Sequence, residues 1–446
     1  MNVVDAWFEE LKNGRELTPE FCQEFASSMR ARKLTFGDRI HSPFLRPFFL
    51  SAADEARIRR ASETIAAVGE RVVREALVSP SLFEQLGITD AEEELIRIEP
   101  GYDTASTASR LDAFLLPSGL HFAEYNAESP AGVGYTQRLC ELFDALPAME
   151  RFRRSHAVRF HRTIPPLLAA LLESYREWGG RAQMPTIAIV DWREVPTWSE
   201  FELLRDVFVA SGTPTVVCDP RALDYRGGTL YAEGRAIDLV YRRVLINDIV
   251  ARPAECKALV DAYRAKAVCV ANTLRCKIAH KKAFFAVLTD ERYAALFSDD
   301  ERAVIAAHVP WTRVVRDDLV DDIRRRRDRL VLKPSDEYGG TGVTLGWETD
   351  AAAWDDTITR ALGQSAGDGR AWIVQERINI RREIFPVCEP GGPTERDMLV
   401  DFAPYLFRGR VAGFLTRLSA TGLANVTSGG GQVPSFVVST KDTKEP

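Results

Sequence analysis

The hydrophobic pattern at the start of the chain is helical. Apolar positions such as Trp7 and Leu11 recur at helical spacing, and a similar pattern runs from 57 to 77. Thr18-Pro19 adds a cap residue followed by a proline suited to a first helical turn. This pattern predicts an N-terminal helical region over residues 1–90.

Short strand-like runs replace the helical pattern after residue 90. The turn signal Pro117-Ser118-Gly119 joins two of these runs as a hairpin. We assign residues 91–150 to this second region. It contains predicted strands over 94–98, 109–115 and 120–125 and a predicted helix over 137–146.

Strands and helices alternate between residues 151 and 275. Short apolar runs lie at 186–191, 215–219, 239–242 and 267–271, with helical stretches between them. Such alternation is typical of a parallel, doubly wound sheet. No G-x-G-x-x-G sequence follows the first of these strands, so the fingerprint of dinucleotide binding is absent.

The last region, 276–446, is predicted to begin with a helix over 276–288 and to continue mainly as strands. The glycine pair at 391–392 and the last eight residues have the composition of disordered segments. The fold class is therefore mixed α/β (α+β). The predicted strands are 312–315, 330–333, 344–347, 372–375, 398–401, 405–407, 411–417 and 433–438.

Composition excludes several classes of partner. The chain has 446 residues, with 58 Lys and Arg against 64 Asp and Glu, so its formal net charge of -6 attracts neither nucleic acid nor anionic membrane. No apolar run approaches the roughly 20 residues that span a bilayer. The first ten residues do not resemble a signal peptide. The length predicts two or three packed units.

The cysteines and histidines form no recognisable cross-linking or metal pattern. Seven cysteines are an odd number and include no C-x-x-C pair, which argues against a disulfide framework and favours a reducing, cytoplasmic location. The apolar neighbours of Cys269 and Cys276 predict inert burial of both thiols. The six histidines lack the spacing of transition-metal ligands.

The first chemical motif is a glycine-rich loop that follows a strand ending in lysine. The segment 338–343 reads YGGTGV and comes directly after the strand that carries Lys333. Glycine permits positive φ and lets backbone N–H groups approach phosphate oxygens, and a lysine supplies a cation. This motif predicts a binding site for nucleotide phosphates. The alternative is a plain hairpin with a glycine turn.

Polar residues also follow three other strands. Gln375-Glu376 ends an apolar strand. Its backbone would hydrogen-bond adenine, and its acid would hydrogen-bond the ribose, although many edge strands end in the same two residue types. Arg417 and Asn425, near a run of glycines, suit neutralisation of a transferred phosphate, and Asp401 follows a further strand. Surface polar residues at strand ends are the alternative for this set.

Four polar residues alternate along the predicted hairpin. Arg110 and Asp112 share one face of its first strand, and Glu124 and Asn126 share one face of its second. Magnesium prefers such hard oxygen ligands, usually one or two carboxylates with phosphates and water. We therefore predict a magnesium site, with a cross-strand salt bridge between Arg110 and Glu124 as the alternative.

Together these residues resemble the ATP-grasp superfamily, in which ATP lies between two α+β subdomains and activates a carboxylate as an acyl phosphate. The E-x-N strand usually comes last, whereas Glu124-Tyr125-Asn126 precedes the lysine strand here. This order resembles the circularly permuted ATP-grasp proteins, of which glutathionylspermidine synthase is the best-known relative. The pattern R-x-D followed by E-x-N-A-E-S-P, over 110–130, carries the resemblance.

The resemblance implies ATP and Mg²⁺ as cofactors and a Rossmann-like pre-ATP-grasp domain over 151–275. Lys282 would be the first nucleotide lysine and Lys333 the second, with Lys277 and Lys281 as alternatives for the first. The magnesium ligands would be Asp112, Glu124 and Asn126; the catalytic arginines Arg110 and Arg417; and the nucleotide site Lys282, Lys333, Gly339, Gly340, Thr341, Gly342, Gln375, Glu376, Asp401 and Asn425.

The expected function is an ATP- and Mg²⁺-dependent ligase that joins a small-molecule carboxylate to an amine. A phosphotransferase and a non-catalytic nucleotide-binding or scaffold protein are the alternatives. The glycine loop is richer in glycine than in glutathionylspermidine synthase, and residues 1–90 show no cysteine amidase pattern. Glutathione and spermidine are thus not implied as substrates. The order of the segments predicts that residue 124 lies beside residue 417.

Overall fold

The N-terminal region is mainly helical, and it also contributes short strands. The computed structural model describes residues 2–37, 39–117, 119–337, 339–367, 369–420 and 430–440. The first elements are α1 (Val3–Lys12), α2 (Pro19–Ala31), β1 (Thr35–Phe36), β2 (Arg39–Ile40), β3 (Phe48–Leu50), α3 (Ala52–Ala76), α4 (Pro80–Leu86) and α5 (Asp90–Ile96).

The remaining elements follow in three stretches. The first contains β4 (Ala108–Leu116), β5 (Gly119–Asn126), α6 (Val133–Asp144), α7 (Pro147–Phe152) and β6 (His156–Arg159). The second contains α8 (Ile164–Glu177), β7 (Ile187–Val190), α9 (Trp198–Ala210), β8 (Thr215–Cys218), β9 (Asp224–Arg226), β10 (Thr229–Ala232), β11 (Arg235–Ala236), β12 (Leu239–Arg242), α10 (Ile246–Ala251), α11 (Lys257–Arg264) and β13 (Cys269–Ala271). The third contains α12 (Lys277–His280), α13 (Ala283–Thr289), α14 (Asp299–His308), β14 (Thr312–Val314), α15 (Val320–Arg325), β15 (Leu330–Pro334), β16 (Thr344–Leu345), α16 (Ala351–Gly367), β17 (Trp372–Glu376), β18 (Arg382–Glu389), β19 (Gly392–Phe407), β20 (Arg410–Ser419), β21 (Gly431–Val433) and β22 (Ser435–Thr440).

The predicted strand over 94–98 is wrong, because most of it belongs to α5. Thr89 caps this helix: its hydroxyl accepts a hydrogen bond from the Glu92 N–H, and the Glu92 carboxylate accepts one from the Thr89 N–H. This reciprocal capping box stabilises the first turn, and Asp90 adds a favourable charge there. Capping therefore outweighs the apolar alternation that suggested a strand.

The parallel sheet matches the predicted doubly wound unit. Its strand order is β13-β12-β7-β8, and every neighbouring pair is parallel. Ile187 and Ile189 of β7 pack into one hydrophobic cluster, whereas Ala188 and Val190 pack into another. Both faces are thus covered, which explains the continuous apolar run of this strand.

The largest sheet joins the hairpin β4–β5 to the C-terminal strands. Its order is β21-β20-β19-β4-β5, with β18 also paired to β19, and the pairs are antiparallel. The 16-residue β19 includes both runs that the sequence suggested as separate strands. The sheet therefore contains the R-x-D strand, the E-x-N strand and the strand of Arg417, and residues 124 and 417 line one cavity. The prediction that residue 124 lies directly beside residue 417 is wrong, because β19 and β4 separate their strands.

Alternation along β4 separates the core from the site. Leu111 and Ala113 pack into the large hydrophobic cluster that includes Ile65 and Val72 of α3. Arg110 and Asp112 occupy the opposite face of the strand, where cavities open. The long helix α3 thus covers one face of the sheet and leaves the other for chemistry.

The second antiparallel sheet has the order β14-β17-β15-β16. Leu332 of β15 and Val374 of β17 pack against Trp354 and Ile358 of α16. Because β15 pairs with β17 over Leu330–Pro334 and Trp372–Glu376, Lys333 and Gln375 lie near one another at the sheet's other face.

Two disorder predictions are wrong within the described residues. Residues 390 and 391 form the turn of the β18–β19 hairpin, and Gly392, with φ of +114°, is the first residue of β19 and pairs with Glu389. A glycine run can thus serve a tight turn instead of a mobile segment. Of the last eight residues, Ser439 and Thr440 belong to β22, which also pairs with β3 and β6. Residues 441–446 lie outside the described residues.

One disulfide is present, contrary to the expectation from cysteine number and spacing. Cys22 of α2 and Cys388 of β18 are bonded across 366 residues of sequence, so no local spacing could reveal the pair. Cys269 and Cys276 are buried free thiols, as predicted. Burial raises the pKa of Cys276 to about 12. The cytoplasmic location stays a prediction.

No helix within the described ranges is long and apolar enough to cross a bilayer.

Candidate nucleotide and metal site

A cavity lies between the second antiparallel sheet and the largest sheet. Its apolar residues suit a flat aromatic ring, and its polar residues come from both sheets and from Lys282, just before α13. The apolar residues are Phe114, Val331, Val343, Leu345, Trp347, Ile378 and Ile380. The charged residues include Asp112, Glu124, Lys282, Lys333, Asp401 and Arg417.

Four charged side chains form a chain of hydrogen bonds, and Asp112, Asp401 and Arg417 of this chain line the cavity. Arg110 donates from Nε to Asp112 Oδ1 at 2.6 Å, and Arg417 Nη2 donates to Asp112 Oδ2 at 2.6 Å and to Asp401 Oδ2 at 2.7 Å. Burial alone would raise the pKa of Asp112, but the two arginines hold it well below its usual value. Asp112 is therefore ionised at neutral pH.

Asp401 has a different electrostatic environment from Asp112. Burial raises the pKa of Asp401 to about 7, in spite of the charge on Arg417. Asp401 Oδ1 and Arg417 Nε have no hydrogen-bond partner among the described residues. A buried polar atom without a partner is unfavourable, so both groups are available to a ligand.

Glu124 faces the lysines from the other side of the same cavity. Glu124 lies directly across the ladder from Asp112, and Asn126 lies across from Arg110. Lys282 Nζ is 3.3 Å from Glu124 Oε2, and Asn126 Nδ2 donates to Glu124 Oε1 at 3.2 Å. Burial would raise the pKa of Glu124, yet the neighbouring Lys282 keeps it below its usual value.

Lys333 reaches the same cavity from β15. Its Nζ donates to Gln375 Oε1 at 2.7 Å, and burial lowers its pKa to about 8 although Glu124 acts in the opposite direction. Anionic phosphates bound beside Lys333 would stabilise its charged form and raise its pKa again.

The three candidate lysines near residue 280 occupy different environments. Lys277 and Lys281 are buried and both bind Asp336, with Nζ to carboxylate distances of 2.6 and 2.8 Å. Lys282 instead lines the cavity, and its Nζ donates to the Glu337 carbonyl at 2.5 Å. The helix predicted over 276–288 is interrupted at Lys281, whose ψ is 131°. The chain turns there, so Lys282 reaches the cavity whereas Lys277 and Lys281 reach Asp336.

The glycine loop borders the cavity through Gly339, Gly340 and Thr341. Gly339, Gly340 and Gly342 have φ of +66°, +79° and +72°, a conformation that favours glycine. A Cβ on Gly342 would also lie 2.7 Å from Pro334 Cγ. Tyr338, the first residue of the predicted motif, lies outside the described residues.

Replacing Gly342 by alanine is expected to weaken ATP binding. An alanine loop would relax out of the left-handed backbone in the free protein and would have to regain it to bind phosphates. That cost is about 1–2 kcal/mol, which corresponds to about five- to thirtyfold in affinity. Calorimetric titration with ATP measures the change. Gly363→Ala in α16 is the matched control, because nothing lies within 4 Å of its Cβ position. Equal ATP affinity in wild type and Gly342→Ala would contradict this role of the loop.

Gln375 and Glu376 end β17, which is a central strand. Gln375 donates from Nε2 to Thr312 Oγ1 at 3.0 Å, so its side chain supports Lys333. The Glu376 carboxylate accepts a hydrogen bond from Arg326 at 2.5 Å while the residue also lines the cavity. Asn425, the remaining predicted nucleotide residue, lies outside the described residues.

The predicted magnesium ligands fit by type and register but do not form a closed site. Asp112 and Glu124 supply hard oxygens from facing positions, and the unpartnered Asp401 Oδ1 is nearby. No group of three or more His, Cys, Asp or Glu side chains is arranged around a common point in the described parts of the chain. Magnesium would therefore need nucleotide phosphates as further ligands, and it would compete with Lys282 for Glu124.

Sequence reasoning missed two groups of cavity residues. Phe114 follows Asp112 by two positions and shares its face, so strand alternation could have indicated it. Arg377 and Trp347 are contributed from separate segments and pack together, with the guanidinium carbon 4.2 Å from the ring centre. A second cavity beside Arg110 includes His41, which is far from the other site residues in sequence and carried no local signal.

This fold and site define a protein of the ATP-grasp class in which the E-x-N strand precedes the lysine strand. The chain belongs to the family "Circularly permuted ATP-grasp type 2", whose model matches residues 70–419.

Relatives of this chain are distant. An uncharacterised protein of Mycobacterium leprae is 25% identical over 339 residues, which are 71% of this chain and 56% of that protein. A putative glutamate–cysteine ligase of Frankia alni is 26% identical over 219 residues, 46% of this chain and 24% of that protein. The chain thus spans about half the length of the first relative and a quarter of the second.

A solved structure has the same overall fold. The glutathione synthetase-like effector of Globodera pallida, in its apo form, aligns with a TM-score of 0.64 and 12% identity, covering 94% of this chain and 96% of that one. At this identity the likeness concerns the fold alone.

Proposed function

We propose that this protein is an ATP- and Mg²⁺-dependent ligase that joins a small-molecule carboxylate to an amine. One observation carries the proposal: Lys282 and Lys333 face Asp112, Glu124 and Arg417 across a single cavity. Lysines and arginine suit the phosphates, and the carboxylates suit the metal ion that accompanies them. The family and the ligase name of the Frankia alni relative support this reading.

The phosphate groups of ATP would be bound by lysine side chains and by backbone groups of the glycine loop. Lys282 and Lys333 would neutralise phosphate oxygens, and N–H groups of the glycine loop would donate to them. Asp112, Glu124 and Asn126 would hold magnesium, which supplies charge neutralisation for the transferred phosphoryl group when bound. The division of the chain into regions that end at residues 90, 150 and 275 stays a prediction, and we propose it together with this function.

The arginines would act on the substrate carboxylate and on the charge that develops during transfer. A carboxylate oxygen would attack the γ-phosphorus and release ADP, giving an acyl phosphate, and Arg110 and Arg417 would stabilise the spreading negative charge. The amine nitrogen would then attack the acyl carbon, and phosphate would leave. Closure of the glycine loop would exclude water from the intermediate.

The test is ADP release across panels of carboxylates and amines, with mass spectrometry of the products. An amide product that appears only with both substrates supports the ligase. A stable phosphorylated product without an amine would indicate a phosphotransferase. Nucleotide binding without ADP release or any product would indicate the non-catalytic alternative.

ATP affinity is expected to fall as the pH rises above 8. The free protein holds Lys333 with a pKa of about 8, and bound phosphates favour its cationic form. Loss of this cation from pH 7 to pH 9 predicts a roughly tenfold higher Kd for ATP, measured by calorimetric titration.

Lys333→Arg is the control for this dependence, because arginine stays charged throughout the range. Its Kd should vary little over the same pH interval. The same pH dependence in wild type and Lys333→Arg would assign the effect to another group.

A further inference from the structure

A second cavity adjoins the nucleotide cavity next to the E-x-N strand. Glu124, Gly339 and Arg417 line both cavities, so the two spaces meet beside these residues. A molecule in the second cavity therefore reaches the end of the first where the lysines and carboxylates converge. This position is where a phosphoryl acceptor would have to lie.

The two arginines form the charged end of the second cavity. Arg110 bonds Asp112 through Nε and Nη2 and donates from Nη1 to the Ala131 carbonyl at 2.9 Å. Arg417 carries the unpartnered Nε described above. Guanidinium groups fixed in this way suit a single carboxylate at this end.

Apart from the two arginines and Glu124, the side chains that line the second cavity are uncharged at neutral pH in the part of the chain that the structure describes. Burial lowers the pKa of both His41 and His280 to about 4, so both imidazoles are neutral. Glu124 is the one acid among the described lining residues, and it faces Lys282. Residues 421–429, outside the described ranges, contain no Asp, Glu, Lys, Arg or His.

The hydrogen bonds of His41 fix which nitrogen of the neutral ring carries the proton. Gln432 donates from Nε2 to Thr136 Oγ1 at 2.7 Å, which leaves Gln432 Oε1 to accept from His41 Nε2 at 2.5 Å. His41 Nδ1 is then unprotonated, and it has no partner among the described residues. Tyr135 packs against the ring with centroids 4.5 Å apart, which fixes its position.

Building on the proposed ligase function, we infer that the second cavity binds the carboxylate substrate and selects a monocarboxylate whose remaining part is uncharged. A second charged group would leave water for a wall whose one acid, Glu124, already faces Lys282, which is unfavourable. Apolar side chains such as Leu245 and Leu415 complete the wall. Dicarboxylates and ammonium-bearing acids are therefore poor substrates.

Three acids of equal chain length test this selectivity: pentanoate, glutarate and 5-aminopentanoate. Hydroxylamine replaces the unknown amine; its nitrogen attacks the acyl phosphate, phosphate leaves, and a hydroxamate and a proton are formed. Hydroxamate and ADP are measured with Mg²⁺ and ATP present. The expected kcat/KM for pentanoate exceeds the values for the two charged acids at least tenfold.

A designed charge provides a second test in the same assay. Thr197 lines the cavity, is half-buried and makes no side-chain capping bond, so Thr197→Asp is compatible with folding. The new acid should raise the ratio of 5-aminopentanoate to pentanoate turnover at least fivefold. Ala351→Asp, at the exposed start of α16, is the matched control and should leave the ratio unchanged.

The outcomes separate this inference from the proposed function. Preference for glutarate or 5-aminopentanoate in the wild type, or an unchanged ratio in Thr197→Asp, would overturn the inference while the ligase stands. Absence of hydroxamate with every acid would overturn the ligase as tested. In that case a binding assay tests the inference. Greater thermal stabilisation of the ADP-bound protein by pentanoate than by the two charged acids supports it, and no stabilisation by pentanoate overturns it.

Discussion

Glu124→Gln is expected to lower kcat/KM for ATP-dependent product formation by about a thousandfold or more. The change keeps the shape of the side chain but removes the charge that faces Lys282 at 3.3 Å and that would help to hold magnesium. Loss of one preorganised electrostatic group in a buried site typically costs a hundred- to a thousandfold, and weaker metal binding adds to this. Coupled ADP release with rising Mg²⁺ concentration is the measurement.

Glu395→Gln is the matched control for the loss of one negative charge. Glu395 is exposed on β19, far along the strand from Asp401, and its replacement should leave turnover unchanged. Thermal unfolding of both variants separates a loss of chemistry from a loss of folded protein. Wild-type ADP release in Glu124→Gln would exclude the assigned role of this carboxylate.

Arg242→Met is expected to lower the free energy of unfolding by about 3–5 kcal/mol. Arg242 and Glu128 are fully buried, and the guanidinium Nη1 lies 3.1 Å from Glu128 Oε1. Removing the arginine leaves the Glu128 carboxylate without its nearest buried guanidinium, and breaking one half of a buried pair is strongly destabilising. Lys277, at 3.5 Å from Glu128, compensates only in part. Denaturant unfolding followed by tryptophan fluorescence reports the change.

Two comparisons make this expectation specific to the buried charge. The double variant Arg242→Met with Glu128→Gln removes both charges and should recover part of the lost stability. Arg264→Met breaks an exposed pair with Glu94 and should change the free energy of unfolding by less than about 0.5 kcal/mol. Equal effects of Arg242→Met and Arg264→Met would show that the buried pair contributes no more to the free energy of unfolding than an exposed pair does.

The parts of the fold that local patterns control could be predicted from the sequence. The hairpin of β4 and β5 follows from strand alternation and a turn. The pairing of Asp112 with Glu124 does not, because the register shifts between Asp112 and Ala113, and without that shift Asp112 would lie opposite Ala123. The parallel sheet follows from short apolar runs separated by helices. Local signals also misled where two of them competed, as at α5, where a capping box overrode the apolar alternation.

Contacts between distant segments could not be predicted in the same way. Nothing near Cys22 indicates Cys388, and nothing near His41 indicates Gln432. The choice among the lysines of 277–282 likewise depends on Asp336, which lies more than fifty residues away and binds Lys277 and Lys281. Patterns identify residue types suited to a site, whereas packing decides which of them reach it.

The ion pair between Asp112 of β4 and Arg417 of β20 has a consequence for biosynthesis. Asp112 and its partner Arg417 are separated by 305 residues, and ribosomes add about 5–20 residues per second. The acidic half of the site therefore leaves the ribosome about 15–60 seconds before the arginine that neutralises it is made. Throughout that interval, a nascent chain lacks a complete phosphate site. The segment order thus delays assembly of the proposed phosphate site until synthesis has passed Arg417.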